Sequence, residues 1–288
     1  MDLYDILVIV RLVLVLLVAA PALYFFARLL RQPGYRHDNT RRWVDLCKIA
    51  TGLWGVAQLL KVLDLIIYVA TSPWNYGARQ AYYVFYHTSS LLDVWAAIVI
   101  FLALFYLAHA LTQLQTESQE EEESGAYRKG RRVVFGVAGL LLPLNLARWC
   151  LHLVDDLAGA DLTPRHQMAG LVAGCFDVAV AGILFLCAVG SVVYSAKSRK
   201  KSLGSPLKKA GTILVTCSSL YLVREAWRFV LFFFFFGFFG LFSIIDVLLG
   251  CWMTFAILTM LYLLGIKSHY SLSKVHYRSG AAEDGQAI

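Results

Sequence analysis

Seven long apolar segments constrain this chain more than any other feature of its sequence. They lie at about residues 4–30, 43–70, 81–112, 133–155, 167–196, 209–236 and 240–266. Each is long enough to cross a bilayer as a helix, which takes roughly 20 mostly apolar residues. A soluble domain of this size could not bury the 59% of residues that are hydrophobic. The sequence therefore predicts an all-α seven-helix bundle over 1–270, followed by a disordered cytoplasmic tail at 271–288.

Positive charges in the connections predict how the bundle is oriented. Lys and Arg collect on the cytoplasmic side of a membrane protein. They are frequent in the first, third and fifth connections, whereas the other three connections hold only Arg79 and Arg165. We expect the N-terminus outside or in a lumen and the C-terminus in the cytosol, in the plasma membrane or an endomembrane. The basic inner face also explains the net charge of +7 through anionic lipids, so no nucleic-acid partner is expected.

Charged side chains inside the apolar segments mark the candidate site. A charge within a bilayer costs about 3 to more than 10 kcal/mol, so such residues face the bundle interior and usually serve function. At a rise of ~1.5 Å per residue, they share one layer in the outer half of the membrane. Together with polar neighbours on the same helical faces, they form the predicted ligand-binding set: Arg11, Lys61, Asp64, Asp93, Arg148, His152, Asp177, Arg224, Glu225, Arg228 and Asp246.

The intramembrane charges also follow an order along the chain. Lys61, Arg148 and Arg224 lie in even-numbered segments, each within a short L-x-basic string, whereas an apolar-Asp-Val string recurs in the third, fifth and seventh segments. This order favours three copies of one helical hairpin, with the first helix added in front.

Two interpretations of the charged layer remain open. Five basic and five acidic residues could neutralise one another and only fix the register of the helices, because polar contacts between membrane helices are modest, about 0.6–2 kcal/mol each. Alternatively, they line a polar cavity, open to the outside, that binds the head of an amphipathic, lipid-like molecule, with aromatic residues such as Phe232 facing its acyl chains. Ten charges exceed what register requires. We therefore favour binding or translocation of such a ligand, with membrane lipids and an amphipathic small molecule as partners.

Two further functions are possible alternatives. A seven-helix receptor or sensor would signal to a cytosolic protein docked at the basic connections. An intramembrane enzyme would use a buried carboxyl group, Glu225 or Asp93, as an acid. His87 and His109 lie near opposite ends of the third segment and His152 lies in the fourth, so no zinc site is expected. We expect no cofactor and assign no catalytic residue, and a non-enzymatic role is favoured.

The sixth segment carries a resemblance to a known group. The string V-R-E-A-W-R at 223–228, followed by Asp246, resembles the sixth and seventh helices of fungal seven-helix proteins of the lipid-translocating-exporter-like kind. The first connection, at 36–43, is similar to that of other uncharacterised fungal seven-helix families. The chain departs from the exporter-like pattern near Leu231, where that group has an acidic residue, and at 58–61, where it has G-Y-x-x-R. The resemblance implies a fungal membrane protein of lipid handling or stress response.

Overall fold

The computed structural model describes residues 3–32, 39–70, 76–115, 125–157, 164–201, 207–234 and 244–266. Every element in these ranges is helical, which confirms the all-α class. A short 3-10 turn, Asn39–Arg41, precedes the second helix. The helices are α1 (Leu3–Leu30), α2 (Arg42–Ala70), α3 (Tyr76–Gln115), α4 (Gly125–Leu157), α5 (Pro164–Lys201), α6 (Lys208–Phe234) and α7 (Ile244–Ile266).

Six of these helices are long and apolar enough to cross a membrane. They are all except α6. The 27 residues of α6 also suffice in length, but its second half contains Arg224, Glu225 and Arg228, which lower its apolar character. The chain is therefore a helical bundle of the kind found in multipass membrane proteins, with six candidate spans and a seventh helix packed among them.

Several helices differ in extent from the apolar segments of the sequence. α3 begins at Tyr76 and α4 at Gly125, ahead of the expected starts at 81 and 133, and α5 continues to Lys201. The added residues of α4 and α5 are rich in Arg and Lys, which are good helix formers and so continue a helix beyond an apolar segment. Residues 235–243 include the expected end of the sixth helix and the expected start of the seventh, and they lie outside the described residues. The expected tail at 271–288 lies outside them as well.

The helices pack as a ring in chain order. Each of α1 to α7 contacts the next, and α7 closes the ring by packing against α1. α3 also contacts α5 and α6, so it runs through the centre of the bundle. Because successive helices run in opposite directions, one end of the bundle gathers the C-terminal ends of α2, α4 and α6 with the starts of α3, α5 and α7. We call this the α3-start end and the opposite one the α3-finish end.

The half of the bundle at the α3-finish end is filled by apolar side chains. From Val94 to Leu114, almost every residue of α3 is buried, and many are small alanines that allow close helix approach. Trp54 of α2, Leu214 of α6 and Leu258 of α7 pack in the same core. This half supplies the rigid support for the charged side chains nearer the α3-start end.

Candidate functional site

The eleven predicted site residues all lie toward the α3-start end of their helices. We call them the charged layer. All seven helices contribute: Arg11 from α1, Lys61 and Asp64 from α2, Asp93 from α3, Arg148 and His152 from α4, Asp177 from α5, Arg224, Glu225 and Arg228 from α6, and Asp246 from α7. Direct contacts divide the layer into three parts.

The first part joins α4 to α5 and α3. Arg148 Nη1 donates to Asp177 Oδ1 at 2.9 Å, and its Nη2 donates to Ser90 Oγ at 2.7 Å. His152 Nε2 lies 2.8 Å from the second oxygen, Asp177 Oδ2. Arg148 and His152 are four residues apart, so they share one face of α4 and reach the same carboxylate.

The second part joins α6 to α3. Asp93 Oδ2 accepts from Arg224 Nη2 at 2.7 Å and from Arg228 Nη2 at 3.3 Å. The other amino group of Arg224 donates to Glu225 Oε1 at 2.5 Å. The expected hairpin order does not govern these contacts, because Arg224 reaches Asp93 in α3 and not Asp246 in the following helix. The central position of α3 explains the choice.

The third part brings together charges from α1, α2 and α7 without direct contact. The charges of Arg11 and Lys61 both act on Asp64. Asp246, at the start of α7, has no side-chain hydrogen bond to the residues that follow it. It precedes a π-helical stretch, Val247–Trp252, whose wider turns change the direction of side chains along α7. In that stretch, Cys251 Sγ donates to Gln58 Oε1 of α2 at 3.1 Å.

Tyr86 of α3 lies near charges of the first and third parts. The charges of Arg11, Asp64, Arg148 and Asp246, from four different helices, all act on its side chain. Tyr86 nevertheless retains 42% of its surface. Tyr86 therefore combines an exposed ring surface with charged surroundings, unlike the closely packed residues between Val94 and Leu114.

Several buried polar atoms of the layer have no hydrogen-bond partner among the described residues. They include Asp64 Oδ1, Glu225 Oε2 and Arg228 Nη1. Asp64 is only 2% exposed, and Glu225 is fully buried. A buried polar group without a partner is unfavourable by about 1–3 kcal/mol, so such atoms in a native structure call for an explanation. A water molecule or another polar group that reached these atoms would relieve the penalty.

Sequence reasoning missed a pair of partners next to the layer. His87 of α3 contacts Asp156 of α4 at 2.5 Å between Nε2 and Oδ2, and its ring stacks on His152. The signal was present in the spacing, because Asp156 follows His152 by four residues on one face of α4. Asn145, also on α4, donates to the carbonyl oxygen of Leu91 at 3.1 Å and ties α4 to α3.

The layer has limited chemistry to offer as an active site. Both candidate acids, Asp93 and Glu225, accept hydrogen bonds from Arg224. Within the part of the chain that the structure describes, no three His, Cys, Asp or Glu side chains are placed to hold a metal ion.

Comparisons with known proteins add no family. No protein-family model matches the chain, and neither the curated proteins nor the solved structures contain a match. The class that fold and composition define is a multipass helical membrane protein.

Proposed function

We propose that this protein binds an amphipathic, lipid-like molecule by its polar head in the charged layer, and that it holds the molecule there or moves it across the membrane. The α3-start end faces the outside or a lumen, and the C-terminus lies in the cytosol. The observation that carries the proposal is Tyr86, whose side chain is 42% exposed although charges from four helices act on it.

The unpartnered atoms support a head group that is charged or rich in hydrogen-bonding groups. Arg228 has an unpartnered N–H group on a side chain that is 22% exposed. A ligand that supplies a partner to this N–H group relieves the penalty of burying it unpaired. An uncharged head with few polar atoms would not. The long apolar helices provide the lipid-facing surroundings that an acyl chain requires, and the proposed role in lipid handling agrees with the exporter-like resemblance.

A thermal-shift titration of the purified protein in mild detergent tests the proposal. The probes are lysophosphatidylcholine, lysophosphatidic acid and a monoacylglycerol of the same chain length. A ligand at 100 times its Kd adds about 2.7 kcal/mol to the folded state. We expect at least one charged-head lipid to raise Tm while the monoacylglycerol does not. Equal shifts for all three, or no shift, would overturn the proposal.

Matched variants locate the binding site. Arg228→Gln keeps a polar side chain but removes the charge of a residue with an unpartnered N–H group, and it should abolish the Tm shift caused by the charged-head lipid. Lys129→Gln makes the same kind of change on the exposed start of α4 and should leave the shift intact. A full shift in Arg228→Gln would place binding elsewhere. Arg148→Gln gives a second test on α4, provided that its folded yield equals that of the parent.

The proposed orientation has its own test. A membrane-impermeant protease added to sealed, right-side-out vesicles should leave a C-terminal epitope intact, because the C-terminus is proposed to lie in the cytosol. An epitope removed from sealed vesicles would reverse the orientation.

A receptor or sensor is the second candidate, and it would use the α3-finish end. Arg42 Nη1 donates to the hydroxyl of Tyr106 at 3.3 Å, and Arg41 Nη2 donates to the carbonyl oxygen of Gly265 near the end of α7. α3 thus connects Asp93 in the charged layer with the basic end, where a cytosolic protein would dock. Ligand-dependent recruitment of a cytosolic partner would favour this function, whereas movement of a labelled lipid between leaflets of proteoliposomes would favour transport.

A further inference from the structure

Two histidine rings lie stacked next to the charged layer. The ring centroids of His87 in α3 and His152 in α4 are 5.1 Å apart, and the ring planes differ by 8°. Each ring directs Nε2 at a carboxylate, His87 at Asp156 and His152 at Asp177. Four titratable groups from three helices therefore form one continuous row.

The hydrogen-bond partners determine where a proton can bind. An ionised carboxylate only accepts hydrogen bonds, so Nε2 of each ring carries the hydrogen, and Nδ1 is the nitrogen that takes up a further proton. Either ring, once protonated, is an imidazolium cation that faces its own carboxylate. Two imidazolium cations at this distance repel each other, so charging one ring disfavours charging the other.

The groups that surround the rings also disfavour a proton on both rings at once. His87 faces Asp156, His152 and Arg148 on α4, and Tyr83 and Tyr86 lie beside it on its own helix. His152 faces Asp177 on α5, and the charge of Arg228 on α6 also acts on Asp177. Arg148 is a permanent cation near the pair. With one proton bound, the positive charges of Arg148 and of the protonated ring balance the negative charges of Asp156 and Asp177. A second proton would leave a positive charge without a counter-charge.

We propose that His87 and His152 form a coupled proton-binding site, in which the first proton disfavours the second, and that this site controls how Asp177 holds Arg148. One carboxylate oxygen of Asp177 contacts Arg148, and the other contacts His152. When the proton is on His152, the carboxylate is shared by two cations and its bond to Arg148 weakens. When the proton is on His87 or absent, Arg148 is held more tightly. Asp156 keeps about a third of its side-chain surface, 33%, and lies at the end of α4, where water can supply the proton.

This inference goes beyond the proposed ligand and does not depend on it. If it is correct, any ligand that contacts Arg148 will bind with an affinity that depends on the pH at the α3-start end.

Nitrogen-15 magic-angle-spinning NMR of histidine-labelled protein in phosphatidylcholine nanodiscs measures ring protonation directly and requires no ligand. We expect the pair to take up two protons in two steps, separated by about one pH unit or more. The variants His87→Phe and His152→Phe keep a stacked ring but cannot bind a proton, so each should remove the lower step and leave a single transition. Two rings that titrate independently, with midpoints unchanged by loss of the other, would overturn the proposal.

Two further samples make the test specific. His109→Phe alters a histidine near the opposite end of α3 and should leave both steps unchanged. Asp156→Asn keeps both rings but removes the charge that favours a proton on His87, so the lower step, in which His87 takes its proton, should move to lower pH. In protein labelled at arginine, the NMR signal of the Arg148 side chain should shift during the upper step. This shift should be absent in His152→Phe. An Arg148 signal that ignores histidine protonation would contradict the control of Asp177.

Discussion

The two halves of α3 show how one helix can serve two kinds of interior. From Val94 to Leu114 it is surrounded by close-packed apolar side chains, and small residues such as Ala97 and Ala103 bring neighbouring helices near. Toward Tyr76 the same helix carries Tyr86, His87 and Asp93, whose neighbours are charged and partly open. The comparison teaches that the packed half determines how the bundle assembles. Its rigidity supports the other half, where several charged groups are held without a full set of hydrogen-bond partners.

The largest expected effect comes from removing the anion that two arginines share. Asp93→Ala leaves Arg224 and Arg228 in the bundle interior without their common carboxylate, and breaking a buried pair in this way costs about 3–5 kcal/mol. We expect the free energy of unfolding in mixed micelles to fall by that order. Asp45→Ala is the matched control, because the Asp45 side chain is 40% exposed and its pair with Lys48 should contribute about 0–1 kcal/mol. Equal effects of the two substitutions would mean that the charged half adds nothing beyond surface electrostatics.

The packed half is tested by adding volume. Ala103→Leu inserts three carbon atoms where α3 has no free surface, and overpacking of this kind costs about 1–3 kcal/mol. Unfolding in mixed micelles should report the loss. Ala20→Leu makes the same change on an exposed face of α1 and should be close to neutral. If Ala103→Leu were also neutral, the description of this half as closely packed would be wrong.

The smallest effect concerns the boundary between the halves. The hydroxyl of Tyr221 donates to the carbonyl oxygen of Ala97 at 3.2 Å, one turn below Asp93. Tyr221→Phe removes one hydrogen bond between membrane helices, worth about 0.6 kcal/mol on average. Tyr24→Phe, on an exposed side chain of α1, should change nothing. A loss of several kcal/mol in Tyr221→Phe would show that the two halves are coupled more strongly than one hydrogen bond allows.

Much of the fold could be predicted from the sequence, because length and hydrophobicity alone require membrane-sized helices. The charged residues could be found for the same reason, since a charge stands out in an apolar segment. The ion-pair partners of these charged residues could not be predicted. Whether Arg224 meets Asp93 or Asp246 depends on which helix lies at the centre of the ring and how each is rotated about its axis. The π-helical stretch in α7 rotates the side chains further about the helix axis, and no periodicity in the sequence indicates this rotation.

The histidine pair shows a second limit of sequence reasoning. The sequence suggested His152 as a ligand-binding residue and His87 only as a possible metal ligand, and nothing in it paired the two. Their stacking depends on the crossing of α3 and α4, which brings residues 65 positions apart in the chain into contact. Only the four-residue spacing of His152 and Asp156 could have pointed to a polar face there.

Accessibility of Tyr86 to water tests the central claim most directly. Tyr86→Cys and Ala97→Cys place a thiol in the open and packed halves of the same helix, and a charged, water-soluble methanethiosulfonate reagent is added from the α3-start side of sealed vesicles. The parent protein, with its six cysteines, sets the background. We predict that Tyr86→Cys is modified rapidly and that Ala97→Cys remains at background. If Tyr86→Cys reacts no faster than Ala97→Cys, the charged layer is closed and dry, and the proposed binding role loses its basis.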